Sequence, residues 1–185
     1  REDRPSSPDL DAQLLAMIET EAHRLAEIVD QILVSTEVDR GSIPIRTEAC
    51  DLRELCESAV ESARVRAPET IELALDASDG VVVRTDPSRL RQVVVNLLDN
   101  AVKYSPLGGR VEVRVAERDG SVAIEVADQG LGIPEEAQER IFEKFVRLDP
   151  EMRRGVGGSG LGLYISQELV ERMGGRLRVD SQPGR

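Results

Sequence analysis

A long amphipathic helix near the start of the chain places the strongest constraint on the fold. Apolar residues recur at helical spacing over about 10–38, with Leu14, Ile18, Leu25 and Ile32 on one face and acidic residues on the other. A single apolar stripe of this length is too long for a small globular domain to cover. We therefore expect this helix to pack against other helices, as it would in a dimer.

The rest of the chain, residues 42–185, alternates between strand and helix patterns. Strands are predicted at 42–49, 70–76, 81–85, 110–117, 121–127 and 176–181, and helices at 51–66, 86–104 and 159–173. Asp51 and Asp86 are helix start signals, and Asp119 followed by Gly120 is a hairpin signal. This order predicts an α+β fold, a two-layer α/β sandwich whose mixed sheet has helices on one face, preceded by the long helix.

Composition excludes several classes of protein. The 185 residues are 40% hydrophobic, which argues against disorder, and a net charge of -11 argues against a nucleic-acid partner. Cys50 and Cys56 lack neighbouring Cys or His ligands, so the sequence predicts neither a zinc site nor a disulfide framework. With no apolar run of membrane-span length and no visible signal peptide, we predict a cytoplasmic chain. Because it begins at Arg1, it reads as a fragment of something longer.

Two amides and a lysine fall on one face of the helix predicted at 86–104. Asn96, Asn100 and Lys103 are spaced i, i+4 and i+7, among apolar neighbours. Amides on such a stripe are costly unless they bind something. Carboxamide oxygens suit a hard cation such as Mg²⁺, and an ammonium group suits phosphate.

Two glycine-containing segments add to this set. Asp128, Gly130 and Gly132 lie at the end of a strand, where a carboxylate can accept a hydrogen bond from an exocyclic amine. Five glycines stand within the eight residues 155–162, directly before a helix. Exposed amides at a helix N-terminus bind phosphate. The segment is not a Walker loop, because it lacks the Gly-Lys-Ser/Thr ending, and it does not follow a strand as a Rossmann turn would.

In this order the motifs resemble the nucleotide-binding boxes of sensor histidine kinases, members of the GHKL ATPase and kinase superfamily. The run NLLDNAVKY from Asn96 to Tyr104 is similar to the asparagine box, and DQGLG from Asp128 to the first glycine box. FEKF at 142–145 is similar to the phenylalanine box, and GSGLGL at 158–163 to the second glycine box. The resemblance covers about 42–185. It implies a Bergerat-type ATP-binding catalytic domain that uses ATP with Mg²⁺.

The resemblance also implies roles for individual residues. Asp128 would bind the adenine amine, and Asn96 would hold Mg²⁺. Asn100 and Lys103 would contact the phosphates, and Tyr104 would border the adenine. Residues 142–158 would form a lid in which Phe142 and Phe145 pack, and Gln92, Lys103 and Arg147 are the candidate catalytic residues. The further nucleotide-binding candidates are Gly130, Gly132, Ile133, Gly158, Ser159, Gly160, Leu161 and Gly162.

Two departures from the family pattern concern the ends of the chain. The one histidine, His23, is followed by Arg24, and Ile28 stands where the acceptor pattern of the family has a proline. We therefore assign 1–41 to a partial dimerisation and phosphotransfer region, the second helix of a hairpin, without the phosphoacceptor. The family continues after a Ser-x-Pro-Gly turn into one more strand, which we expect to be missing after Arg185.

The leading hypothesis is the catalytic region of a two-component sensor histidine kinase. The parent would be a homodimer through its hairpin helices, transferring the γ-phosphoryl of ATP to a histidine and then to an Asp of a response regulator. Alternatives are a degenerate nucleotide-sensing or dimerisation unit, and an anti-sigma serine kinase, which would lack the preceding helix. GHKL hydrolases such as gyrase are a further alternative. They need a Glu four residues before the first Asn of the box, where this chain has Gln92.

Overall fold

The structure is a computed structural model that describes residues 8–118, 120–148 and 158–184. Four helices and five strands follow one another within these described residues. They are α1 (Pro8–Asp39), β1 (Glu48–Asp51), α2 (Leu52–Arg64), β2 (Ile71–Ala77), β3 (Val82–Thr85), α3 (Pro87–Lys103), β4 (Gly109–Arg118), β5 (Ser121–Ala127) and α4 (Gly162–Arg172). Two short 3₁₀ turns, Glu135–Ala137 and Arg140–Phe142, lie between β5 and α4. No helix in these described ranges is both long enough and apolar enough to cross a membrane.

The strands form a mixed sheet and a separate pair. In the mixed sheet β4 lies between β2, its parallel neighbour, and β5, its antiparallel neighbour. The short strands β1 and β3 pair with each other in antiparallel fashion. The predicted hairpin is confirmed by the pairing of β4 with β5 up to Arg118 and Ser121, although Asp119 itself lies outside the described residues. Although β2 and β3 follow each other along the chain, they belong to different sheets.

Helices α2 and α3 cover one face of the mixed sheet, as predicted. Alternate residues of β4, Val111, Val113 and Val115, are buried in the core that these helices complete. On the opposite face the charged side chains of β4 form ion pairs, and Arg114 joins Glu112 to Glu125 of β5. The period of two along the strand thus separates an aliphatic core from a charged surface. The predicted α+β sandwich is confirmed.

The start of α3 is fixed by a buried carboxylate. Asp86 caps the helix by accepting from the backbone N–H of Arg89 at 3.0 Å, and it accepts from the N–H of Arg46 at 2.9 Å. Burial alone would raise the pKa of Asp86, but these hydrogen bonds outweigh burial and lower the pKa. The ionised cap therefore ties α3 to the segment that follows α1.

The C-terminal end of α1 packs against α4 in a second core. Val38 and Ile43 are buried with Leu161, Ile165 and Leu169. The Arg172 guanidinium near the end of α4 donates to the Val38 carbonyl at 2.9 Å and to the Gly41 carbonyl at 3.3 Å, so a cation meets the exposed carbonyls at the α1 C-terminus. Farther from this end α1 exposes large apolar side chains, namely Leu14, Leu15, Met17, Ile18, Leu25, Val29, Ile32 and Leu33.

Two predicted boundaries are wrong because backbone groups bond elsewhere. The strand expected at 42–49 extends only over Glu48–Asp51. Pro44 has no N–H for a ladder, and the N–H of Arg46 goes to Asp86. The helix expected from 159 begins at Gly162 because Gly160 adopts φ +73°, outside the helical region.

The strand predicted at 176–181 is also absent, although those residues are described. Leu177, Val179 and Ser181 are half-buried and alternate with exposed neighbours, which explains the strand-like pattern. However, the Ser181 carbonyl accepts from the Gln138 side chain at 2.7 Å. Its hydroxyl accepts from the N–H of Ile133 at 2.9 Å. The end of this segment is bonded to a loop rather than to a neighbouring strand.

Candidate functional site

The polar face of α3 lines a cleft of about 230 Å³. Asn96, Asn100 and Lys103, whose spacing predicted that they share one helix face, form one wall of the cleft together with Tyr104. The opposite wall is the segment that leads into α4, with Gly158, Ser159, Gly160 and Gly162. Helix periodicity gathers the α3 residues on one face, and the packing of α4 against α3 places the glycine-rich segment across the cleft from them.

Asn96 has a fixed orientation in this cleft. Its amide nitrogen donates to the hydroxyl of Ser166 on α4 at 2.9 Å, and Ser166 is buried. Its oxygen faces Gly162 so closely that a Cβ at Gly162 would overlap it. The amide is thus locked with its oxygen toward the first turn of α4. Glycine at position 162 is required for this approach.

Lys103 brings a positive charge to the glycine-rich segment. Its ammonium nitrogen lies 5.1 Å from the centroid of the Tyr104 ring. A Cβ at Gly158 would lie only 2.6 Å from the same nitrogen. The ammonium group therefore stands beside the exposed backbone of the glycine-rich segment, where an anion would meet both the charge and the N–H groups.

Helix α1 contributes to the cleft in a way that sequence reasoning missed. Ile28 and Gln31 line the cleft, and the Ser159 hydroxyl donates to the Gln31 side-chain oxygen. The same Ser159 oxygen accepts from the N–H of Leu161 at 3.0 Å. The spacing of Ile28 and Gln31 places them on one helix face. However, only the docking of α1, which depends on tertiary packing, turns that face toward the cleft.

Asp128 and Gly130 lie in a neighbouring loop rather than in the cleft wall. The Asp128 carboxylate is exposed and accepts from the N–H of Gly130 at 2.8 Å. The N–H of Leu131 donates to the Tyr104 carbonyl at 3.0 Å, which holds the loop against the end of α3. A Cβ at Gly130 would overlap the same carbonyl. The loop thus extends the site beyond Tyr104.

Gly132 and Ile133 hold the far side of this loop. Gly132 adopts φ +69°, and a Cβ there would overlap the Gln182 carbonyl. With the bond from Ile133 to Ser181, the loop is fixed to the C-terminal segment. These contacts give both residues a structural role in the loop, and their contact with a nucleotide stays a prediction.

The remaining predicted residues are distributed around the cleft. Arg147 lines it, whereas Gln92 is not among the lining residues and accepts from the Arg89 guanidinium at 3.2 Å. Phe142 is half-buried, but Phe145 is 66% exposed, so packing within the lid describes Phe142 better than Phe145. The greater part of the predicted lid, 149–157, and the side chain of His23 lie outside the described residues.

A larger groove of about 520 Å³ lies elsewhere, but it lacks suitable chemistry. It opens between the 3₁₀ turns and α4 and is lined in part by Gln138, Phe142, Gln167 and Arg178. Its two amide side chains, Gln138 and Gln167, come from separate segments, and its lining residues include no glycine-rich backbone like that of the cleft. We therefore take the smaller cleft on α3 as the candidate site.

Comparison with known proteins identifies the class. Residues 85–185 match the family described as histidine kinase-, DNA gyrase B- and HSP90-like ATPases. The chain is 33% identical over 178 residues to the sensor-like histidine kinase SenX3 of Mycolicibacterium smegmatis, covering 96% of this chain and 46% of that protein. The chain spans less than half of the length of the curated relatives that it matches.

Solved structures give the same result. The mycobacterial sensor histidine kinase MprB is 38% identical with a TM-score of 0.65, over 73% of this chain and 85% of that one. Full-length ShkA, in complex with AMPPNP, is 31% identical with a TM-score of 0.82, over 100% of this chain and 38% of that one. The chain belongs to the histidine kinase-, gyrase- and HSP90-like ATPases, as an ATP-binding catalytic domain of the sensor histidine kinase type.

Replacing Gly162 by Ala tests the packing of α4 on Asn96. The new Cβ would force the Asn96 amide out of place, and we expect ATP to bind about 10- to 100-fold more weakly, as for the loss of an interaction with a charged group. Isothermal titration calorimetry with ATP and Mg²⁺ measures this loss. The control is Gly175→Ala, beyond the other end of α4, where the Cβ would approach the Val170 side chain at 3.0 Å and the Val170 carbonyl oxygen at 3.4 Å. Equal affinities of the two variants would contradict the assigned role of Gly162.

Proposed function

We propose that this chain binds ATP with Mg²⁺ and delivers the γ-phosphoryl group to a histidine of a two-component sensor kinase. An Asp of a response regulator receiver domain would then take the phosphoryl group. The observation that carries the proposal is the convergence of Asn96, Lys103 and the segment 158–162 on one cleft. Phosphoryl transfer needs positioning and charge neutralisation above all, and these groups supply both.

The phosphates of ATP fit the glycine-rich side of the cleft. Backbone N–H groups and the positive end of the α4 dipole lie there, and the Lys103 ammonium adds a full charge beside Gly158. Asn100 lines the same wall and can donate to a phosphate oxygen. Arg147 lines the cleft at the end of the described lid residues, where its guanidinium can approach the γ-phosphate.

Asn96 fits the role of the magnesium ligand. Among the described residues, no three His, Cys, Asp or Glu side chains gather into a metal site, so the protein would supply few ligands of its own. Mg²⁺ commonly keeps water molecules and substrate phosphates as most of its ligands. The bond from the Asn96 amide nitrogen to Ser166 leaves the carbonyl oxygen turned toward the glycine-rich side. When bound, Mg²⁺ would neutralise charge on the phosphates.

The adenine is assigned to the side of the cleft that continues past Tyr104. The exposed Asp128 carboxylate can accept from the exocyclic amine, and Gly130 allows the backbone to approach closely. Gly132 and Ile133 then support the loop from behind. In this assignment Tyr104 lies between the adenine and the phosphates.

A hydrolase is the alternative that Gln92 disfavours. A general base needs a basic oxygen, and a neutral amide has none. The Gln92 oxygen already accepts from Arg89.

The exposed apolar side chains of α1 support a parent that dimerises through hairpin helices, and they disfavour an anti-sigma kinase. We place the domain in the cytoplasm, because ATP is available there.

Asn96→Ala tests the magnesium assignment. The variant should bind ATP about tenfold or more weakly in the presence of Mg²⁺, because a ligand to the cation is lost. Binding of ADP without metal should change little. Calorimetric titrations of the same variant with and without Mg²⁺ provide the comparison. Equal losses under both conditions would assign Asn96 a structural role instead.

The phosphotransfer proposal is tested with γ-labelled ATP. The chain should bind ATP but take no acid-labile label, because His23 lacks the acidic neighbour and the proline of an acceptor. The parent protein with its complete hairpin should become labelled, and His23→Ala should change neither result. Label on this chain that is lost in His23→Ala would refute this assignment. Hydrolysis at around 1 s⁻¹ or faster would favour a true ATPase.

A further inference from the structure

A cluster of three polar side chains joins the end of α1 to the catalytic domain. The Lys144 ammonium lies 2.5 and 2.6 Å from the two carboxylate oxygens of Asp39, the last residue of α1. The hydroxyl of Tyr164, in the first turn of α4, donates to the same carboxylate at 2.9 Å. The Lys144 ammonium also lies 4.7 Å from the centroid of the Tyr164 ring. Lys144 lies within the predicted lid, but no contact with a nucleotide has been assigned to any of the three side chains.

Around neutral pH, Asp39 and Lys144 of this cluster are charged and Tyr164 is protonated. The hydrogen bond from Lys144 lowers the pKa of Asp39, and the bond to Asp39 raises the pKa of Lys144. Burial and the hydrogen bond to Asp39 raise the pKa of Tyr164, which therefore keeps its proton to donate. An exposed ion pair of this kind contributes little to overall stability. Its importance lies in the residue that follows Lys144.

Phe145 follows Lys144 and has a strained backbone. Its φ of +63° makes it the one non-glycine residue with positive φ in the described part of the chain. Its N–H donates to the Gly160 carbonyl at 2.9 Å. A Cβ at Gly160 would lie 2.8 Å from the Phe145 backbone, so only glycine allows this approach. Such strain persists where the surrounding contacts hold it in place.

We propose that Asp39 is a positioning residue for the ATP phosphates. It holds Lys144, which keeps Phe145 in its strained conformation, and Phe145 in turn fixes the Gly160 carbonyl and the phosphate-binding segment 158–162. This inference rests on the proposed function of that segment. The bond from Ser159 to Gln31 is a second connection from the same segment to α1. A shift of the end of α1 is thereby transmitted to the phosphate site.

The test compares Asp39→Asn with a matched control, Glu37→Gln. Glu37 is an exposed carboxylate in the same turn of α1, so the control removes the same charge. We expect Asp39→Asn to weaken calorimetric binding of ATP with Mg²⁺ about two- to fivefold, the range of an exposed ion pair. Adenosine, followed by chemical-shift titration, should bind unchanged, because it has no phosphates. Glu37→Gln should match the unmodified chain with both ligands.

A double-mutant cycle with Lys144→Met separates positioning from a general effect on stability. If Asp39 acts through Lys144, the two losses of ATP affinity should not add. The reversed pair, Asp39→Lys with Lys144→Asp, should recover affinity relative to either single change. Additive losses, or equal losses for ATP and adenosine, would overturn the inference. So would normal ATP binding by Asp39→Asn, whereas absence of ATP binding by the unmodified chain would refute the proposed function itself.

Discussion

The close approach of α4 to α3 is the constraint on which the site depends. Gly162 leaves room for the Asn96 side chain. The Ser166 hydroxyl, one turn later on α4, accepts a hydrogen bond from the Asn96 amide nitrogen. Because both contacts come from one helix, the position of α4 fixes the direction of the amide. The same approach brings the N-terminal end of α4 opposite Lys103. A cation, an oriented amide and the glycine-rich backbone before α4 therefore face one small volume.

Helix α1 takes part in this arrangement through its C-terminal half. The end of α1 packs into the second core, where its last carbonyls accept from Arg172 and Asp39 forms an ion pair with Lys144. Farther back along the helix, Gln31 and Ile28 line the cleft. The helix thus contacts the cleft and the segment before it at separate places. Its exposed apolar face is available to pack against other helices. In the proposed kinase, one element would bind its partner helices and contact the nucleotide site.

Features that depend on neighbouring residues could be predicted from the sequence. Asp51 and Asp86 cap α2 and α3 as expected, since a cap is a contact within one turn. The polar face of α3 follows from helix periodicity. The approach of Gln31 to Ser159 could not be predicted, because it joins residues far apart in sequence. The positive φ of Phe145 likewise depends on Gly160 and carries no local signal. The segment 176–181 has a strand-like pattern, but pairing depends on a partner that the pattern does not specify.

Backbone amide chemical-shift mapping with ATP and Mg²⁺ tests the central claim most directly. The account predicts the largest shifts in three stretches that are distant in sequence, at 96–104, 128–133 and 158–162. Omission of Mg²⁺ should reduce the shifts around Asn96 most. Shifts centred on the larger groove lined by Gln138, Phe142, Gln167 and Arg178, with the cleft on α3 unaffected, would contradict the account.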